Sequence, residues 1–401
     1  GIVEAVLCMP HRGRLNLLTD LLHFSPTRLF HKIKGNPEFP EELPATAISP
    51  TLEYGGAKPI TISMPHNPSH LEAVNPIAMG KARAKQMDLI KSETDCELGD
   101  RVMCIQLHGD AAFTGQGTIM ESFGLSNLPH FSSGGSIHIV VNNQLGYTTP
   151  AQNARSSWYC SDIGKMINAP VIHVNGDFPE EVTRAIDMAF EYRNKFRKDV
   201  IIDLISYRRW GHNELDEPAF TQPLMYNNIR SRKSVPKLYE EKLLVTEESI
   251  LSESDISEFR KNYFNTLEEH YKISDTYKPE ADMLKKKWNG LIMPTETVTK
   301  MDTGVSREIL EKIGKTSVHI PHEIALALGS LMLEGHNVRL CGQDVGRGTF
   351  SQRHAMIVCQ DTEKIVVPLN NLARDQGMFE ACFRSMFIVN SPLSELAVVG
   401  F

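Results

Sequence analysis

Four short stretches of continuous apolar sequence, Val102–Leu107, Ile137–Val141, Val171–Val174 and Val200–Ile205, are separated by segments with helical character. Uninterrupted apolar runs of this length predict strands covered on both faces, because a strand with one wet face would alternate. The clearest helix between them is PEEVTRAIDMAFEYRNKFRKD. Pro179 suits a first helical turn, Glu180 and Glu181 favour the positive end of the helix dipole, and Lys195, Arg197 and Lys198 favour the other end. Strand and helix in alternation predict a parallel sheet with helices on both sides, a doubly wound α/β domain over residues 1–230. From 231 to 320 the chain is charged and helix-prone, is broken by Pro236, Pro279 and Pro294, and reads as a helical connecting region. An apolar helix near His322 that stops at Gly335, followed by strand-like Val338–Cys341, opens a second α/β domain over 321–401. The chain begins without a methionine and ends before such a domain is complete, so it is expected to be a piece of something longer.

Composition narrows the functional classes more than the fold. At 41% hydrophobic and 23% charged residues the chain is neither disordered nor fibrous. Its net charge of −7 is spread among mixed acids and bases, and stretches such as KSETDCELGD run against a nucleic-acid surface. The short basic run YRNKFRKD reads as a solvated helix end. Seven cysteines, an odd count without a CxxC pair, read as reduced thiols in a non-secreted protein and not as a disulfide frame or zinc site. The longest helix-like apolar run, IALALGSLMLEG, is too short to span a bilayer, so no membrane span is expected.

The strand at Val102–Leu107 runs into HGDAAFTGQG, and the next strand ends in Asn142-Asn143. Gly109, without a Cβ, would let the backbone approach a diphosphate closely. Asp110 would supply a hard carboxylate oxygen for Mg²⁺, Asn143 a side-chain carbonyl oxygen, and the backbone near Leu145 a third ligand, leaving room for diphosphate oxygens and water in a near-octahedral array. Each motif alone is ordinary turn chemistry. Paired at the carboxyl ends of consecutive strands, where open parallel sheets bind ligands, they point to Mg²⁺ and thiamine diphosphate.

The full context, strand, GDAAFTGQG, helix-like GTIMESFGLSNL, strand SIHIVV and NNQLGYTT, resembles the first-component family of 2-oxoglutarate dehydrogenase. The resemblance implies a thiamine diphosphate-binding fold and carries several residues with it. His212 of YRRWGHNELDEP stands at a histidine that contacts the diphosphate, and His11 of HRGRLN and His70 of PSHLE stand at histidines that line the substrate pocket. His66 is not carried over. Where 2-oxoglutarate enzymes usually have serine, this chain has Asn75, which resembles the branch acting on 2-oxoadipate, one methylene longer. Glu395 of NSPLSELAVVGF stands at the glutamate that activates the cofactor, with Leu396 departing from the family's usual second acid. The shortened lead-in before ALALGS and the segment FEACFRSMFIVN are further departures. The resemblance further implies a homodimer, a lipoyl-bearing acyltransferase partner that takes the acyl group, and a place in the mitochondrial matrix. An alternative reading is a truncated, non-catalytic chain that keeps cofactor or partner binding.

Overall fold

The computed structural model describes residues 1–37, 51–54, 60–66, 69–245, 251–279, 302–316, 322–342, 344–348, 354–383 and 398–400. They form two units: Gly1–Asn127 with Ser132–Ala281, and Leu128–Phe131 with Asp282–Phe401.

The first unit is built on a seven-stranded sheet of β1 (Glu4–Cys8), β2 (Thr51–Tyr54), β3 (Ile60–Ser63), β4 (Val102–Gly109), β5 (Ser136–Asn142), β8 (Val171–Asn175) and β9 (Val200–Ile205). The strand order is β2-β3-β1-β4-β5-β9-β8, and every pairing is parallel except β2 with β3. A two-stranded hairpin, β6 (Leu145–Gly146) and β7 (Thr149–Pro150), follows β5. Each predicted apolar run is found as a strand, with β4 running two residues past Leu107.

Helices cover both faces, which is why the central strands are mostly apolar on both sides. After a single turn, α1 (Arg14–Asn16), and α2 (Pro26–Ile33), the long α3 (Val74–Ser92) lays Ala78, Met79 and Ala82 over Val6, Cys8, Val102 and Cys104. On the same face α4 (Asp110–Gly115) and α5 (Gly117–Ser126) bury Phe113, Ile119 and Phe123 against Val140 and Ile201. A single turn, α6 (Ala151–Ala154), follows the hairpin. The opposite face is closed by α7 (Pro179–Phe196), whose Ala185 and Ala189 pack on Met103, Ile137, Val200 and Ile202. The small residues let helix and sheet approach closely.

α8 (Pro223–Ser231), α9 (Val235–Val245) and α10 (Glu253–Ile273) complete this unit. α10 starts with a capping box at Ser252 and Asp255, and it docks on α2 through Thr27 to His270 at 2.7 Å and Lys34 to the Tyr271 carbonyl at 2.9 Å.

In the second unit α11 (Arg307–Thr316) and α12 (His322–Leu333) pack on a three-stranded sheet. Its central strand β10 (Asn337–Gly342) is followed by the small hairpin β11 (Ile357–Val358) and β12 (Ile365–Val366). β10 pairs in parallel with β13 (Phe379–Phe383) and antiparallel with β14 (Val398–Gly400). Ile313, Met332, Val338, Leu369 and Phe379 form its core. No helix among the described residues is long and apolar enough to cross a membrane.

Candidate active site

Parallel strands deliver their following loops to one edge, so the candidate residues leave the sheet together. His11 follows β1, His70 follows β3, Asp110 follows β4, Asn143 follows β5 and His212 follows β9. Gly109 has ordinary extended backbone, φ −88°, and a Cβ there would meet nothing within 4 Å, so neither backbone conformation nor a protein neighbour requires glycine here, and the space beside it is open. Asp110 opens α4 and is 2% exposed. Burial pushes its carboxyl up to about 6, opposed by the Arg155 guanidinium and by backbone bonds that include one from Asn143. Its Oδ2 lies 3.5 Å from Arg155 Nη1, while Oδ1 is buried without a hydrogen-bond partner.

The Asn143 carbonyl oxygen accepts from the Leu145 amide at 3.1 Å, a side-chain-closed turn that fixes the Asn143 head. Gln144 and Tyr147 both take left-handed backbone, φ 63° and 59°. A Cβ on Gly146 would come within 2.8 Å of the Ala111 methyl, which is how closely this turn lies on α4. Asp110, Asn143 and Leu145 therefore share one corner, as the motif spacing predicts. A cleft of about 370 Å³ opens beside it, lined by Asn143, Gln144, Tyr207 and Met225 among others.

The loop after β9 adds His212. Gly211 has no substitute here, since a Cβ would sit 2.1 Å from the Asp216 carbonyl oxygen. The His212 amide donates to Asp216 Oδ2 at 2.7 Å, and Arg12 Nη2 donates to the His212 carbonyl at 3.1 Å. The His212 ring meets Tyr147 edge to face at 4.5 Å and His11 at 5.9 Å. Burial first, then Arg12, His11 and Arg208, hold its imidazole below the usual range, so it is neutral at pH 7 and can either donate or accept. His70 is exposed ahead of α3 and, among the described residues, no contact joins it to His11 or His212. Asn75 is 1% exposed within the first turn of α3, underneath this edge and not on its open side. Glu395 lies outside the described residues.

Three residues join the site that motif reading missed. Arg155 and Arg208 are buried guanidiniums, each with one nitrogen free of hydrogen bonds, and Tyr147 orients both His212 and Arg208, whose Nη1 donates to the Tyr147 carbonyl at 3.0 Å. Nothing in their local sequence distinguishes these arginines from the rest. Together the groups fit a divalent cation bridged to a diphosphate. An unbonded carboxylate oxygen and an amide carbonyl suit a hard cation, and unspent guanidinium N–H groups beside them suit phosphate oxygens.

The same residues carry a family signature: positions 6–282 match the family described as dehydrogenase E1 component. The chain belongs to the dehydrogenase E1 family. Relatives named 2-oxoadipate dehydrogenase complex component E1 from Mus musculus and Homo sapiens are each 48% identical over 442 aligned residues, covering 100% of this chain and 47% of the relative. A 2-oxoglutarate dehydrogenase E1 component from Brucella suis is 40% identical over 445 residues, covering 100% of this chain and 43% of the relative. This E1 chain thus spans about half the length of the curated relatives it matches, and those relatives are enzymes by name. Its α/β architecture with six parallel strands is that of the E1 thiamine diphosphate-binding domain.

Proposed function

We propose that the protein is the thiamine diphosphate- and Mg²⁺-dependent first component of a 2-oxo acid dehydrogenase complex. It decarboxylates a 2-oxo dicarboxylic acid, 2-oxoadipate in preference to 2-oxoglutarate, and passes the acyl group to a lipoyl carrier on an acyltransferase partner. The observation that carries this reading is the corner of Asp110, Asn143 and Leu145, where Asp110 Oδ1 is buried without a hydrogen-bond partner and the unbonded Arg155 Nη1 lies 3.5 Å from Asp110 Oδ2. When bound, the cofactor's thiazolium ring supplies the electron sink that lets CO₂ leave. Asp110 Oδ1, the Asn143 amide oxygen and the Leu145 carbonyl hold the metal, and Gly109 gives the diphosphate room. His212 then faces the diphosphate as a neutral donor. His11 and His70 meet the substrate carboxylate and serve as the proton donor and acceptor of the reaction. Asn75 sets discrimination between the two acids, which differ by one methylene.

Glu395 serves as the acid that activates the aminopyrimidine. The protein works as a homodimer in the mitochondrial matrix. The test is CO₂ release from 2-oxoadipate and 2-oxoglutarate by the full-length protein with Mg²⁺ and thiamine diphosphate. Turnover of neither acid, with the cofactor demonstrably bound, would sink the reading.

A further inference from the structure

A buried polar chain runs from beneath the carboxyl edge of the sheet back to the amino ends of β5 and β9, and Asn75 is its one member used above. Glu72 Oε2 lies 2.7 Å from Asn75 Nδ2 and 2.8 Å from His108 Nδ1. His108 Nε2 lies 3.1 Å from His138 Nδ1, and His138 Nε2 lies 3.1 Å from Asp199 Oδ1, which also accepts from the Ser136 amide. All five of these side chains are buried, His108 completely. Carboxylates and amides removed from water this thoroughly are tolerated only when their partners are in place, and loss of one partner strands the others.

Glu72 reaches its position through left-handed backbone, φ 65°, a conformation that side-chain-bearing residues rarely adopt. That conformation delivers the carboxylate to the first turn of α3. The Asn75 amide nitrogen lies against this carboxylate and, at 2.9 Å, against His108 Nδ1. A carboxylate only accepts, so the NH₂ end of Asn75 must face Glu72, and the carbonyl end must face Cys8, whose Sγ lies 3.6 Å away at the carboxyl end of β1. With its amide enclosed in this way, Asn75 acts on a substrate from below, through the shape and setting of the floor.

We infer that Glu72 is a positioning residue for chain-length discrimination: it fixes the orientation and depth of the Asn75 amide, and through it the floor beneath 2-oxo dicarboxylic acids that differ by one methylene. This rests on the proposed reaction. A serine at position 75 is too short to hold the Glu72 carboxylate and meet Cys8 together, so exchanging Asn75 leaves Glu72 held by His108 alone. The two residues therefore act as one unit.

The test compares kcat/KM for 2-oxoadipate and for 2-oxoglutarate in the full-length wild type, Glu72→Gln, Asn75→Ser and the double variant. Glu72→Gln is expected to lower the adipate-to-glutarate ratio about three- to tenfold, in the same direction as Asn75→Ser, and the double variant to go no further than the larger single change. Glu72→Asp, which keeps the charge but shortens the reach, is expected to shift the ratio the same way by less, and it covers the case in which Glu72→Gln does not fold. A ratio untouched by either Glu72 variant while both rates fall together, or strictly additive effects in the double variant, would overturn the inference and leave the reaction standing. No CO₂ release from either acid by the wild type would remove both.

Discussion

Two arginines are buried at opposite edges of the same sheet, and they are treated in opposite ways. Arg193 of α7, fully covered, donates to the carbonyls of Gly99, Gly135 and Val102 at 2.8–3.0 Å and to Asn194 Oδ1 at 3.0 Å. It ties together the segments that enter β4 and β5, and burial lowers its guanidinium to about 10. Arg155, past the carboxyl end of β5, is nearly as enclosed, yet its Nη1 makes only a 3.5 Å charge contact with Asp110 and no hydrogen bond. At the amino edge Arg193 is completed by the chain's own carbonyls. The carboxyl edge keeps donors and acceptors unspent, and a buried polar group left so in a folded protein calls for a partner. This contrast marks one edge as structure and the other as site.

The largest expected effect is at Asp110. Exchange Asp110→Asn keeps the shape but removes the anionic ligand, and since even outer partners of a metal site are worth about 10- to 100-fold in affinity, Mg²⁺-dependent binding of thiamine diphosphate should fall by more than about 100-fold. Calorimetry on the full-length protein measures it, and unchanged affinity would dissolve the distinction between the two edges.

Next come the arginines themselves. Arg193→Met strands three carbonyls and should lower the unfolding free energy by about 3 to 5 kcal/mol while leaving cofactor affinity of the folded protein essentially intact. Arg155→Met should cost no more than about 1 kcal/mol in stability but weaken cofactor binding roughly tenfold. Urea unfolding and calorimetry on the same two variants would break the comparison if both arginines behaved alike.

The pH dependence follows from Asp110. Its native carboxyl titrates at about 6, above the ordinary value of 3.8. Between these values the native metal-free protein holds a proton that the unfolded chain has released, so stability falls as pH rises through that window and levels off above 6. The effect is at most about 3 kcal/mol, from roughly two pKa units. Asp110→Asn should flatten this segment of the profile and stabilise the metal-free protein at neutral pH, which thermal melts between pH 4 and 7 would read. The smallest effect is at Asn75. Asn75→Ser should lower the 2-oxoadipate to 2-oxoglutarate ratio of kcat/KM by about tenfold or less, the size of a methylene discrimination. An unchanged ratio would remove the adipate preference and the role inferred for Glu72, and leave the reaction standing.

Much of the first unit was legible because burial on both faces writes itself into consecutive residues. Val200–Ile205 is a strand with the bounds its apolar run predicts, and α7 begins at Pro179 and carries its acids and bases at the expected ends. The pairing of Asp110 with Asn143 was legible for the same reason, since two consecutive parallel strands must end at one edge. The edge strand β2, its neighbour β3 and the helix α3 were not foreseen. α3 buries Asn75, Arg83 and Gln86 beside Ala78, Met79 and Ala82, so its apolar stripe is interrupted by polar residues whose partners lie elsewhere in the chain.

What only the tertiary structure decided is how polar groups found partners. The sequence shows His108 and His138 as lone histidines in apolar strands. The β4–β5 register, which sets Gln106 opposite His138 and His108 opposite Val140, makes them diagonal neighbours on one face and links them into the chain that ends at Glu72 and Asn75. Likewise, Arg155 and Arg193 are equivalent letters until the fold gives one of them four acceptors and the other a single distant charge. Backbone conformation and burial repeat with a short period and can be read locally, whereas a hydrogen bond between residues far apart in sequence exists only once strands have been placed side by side.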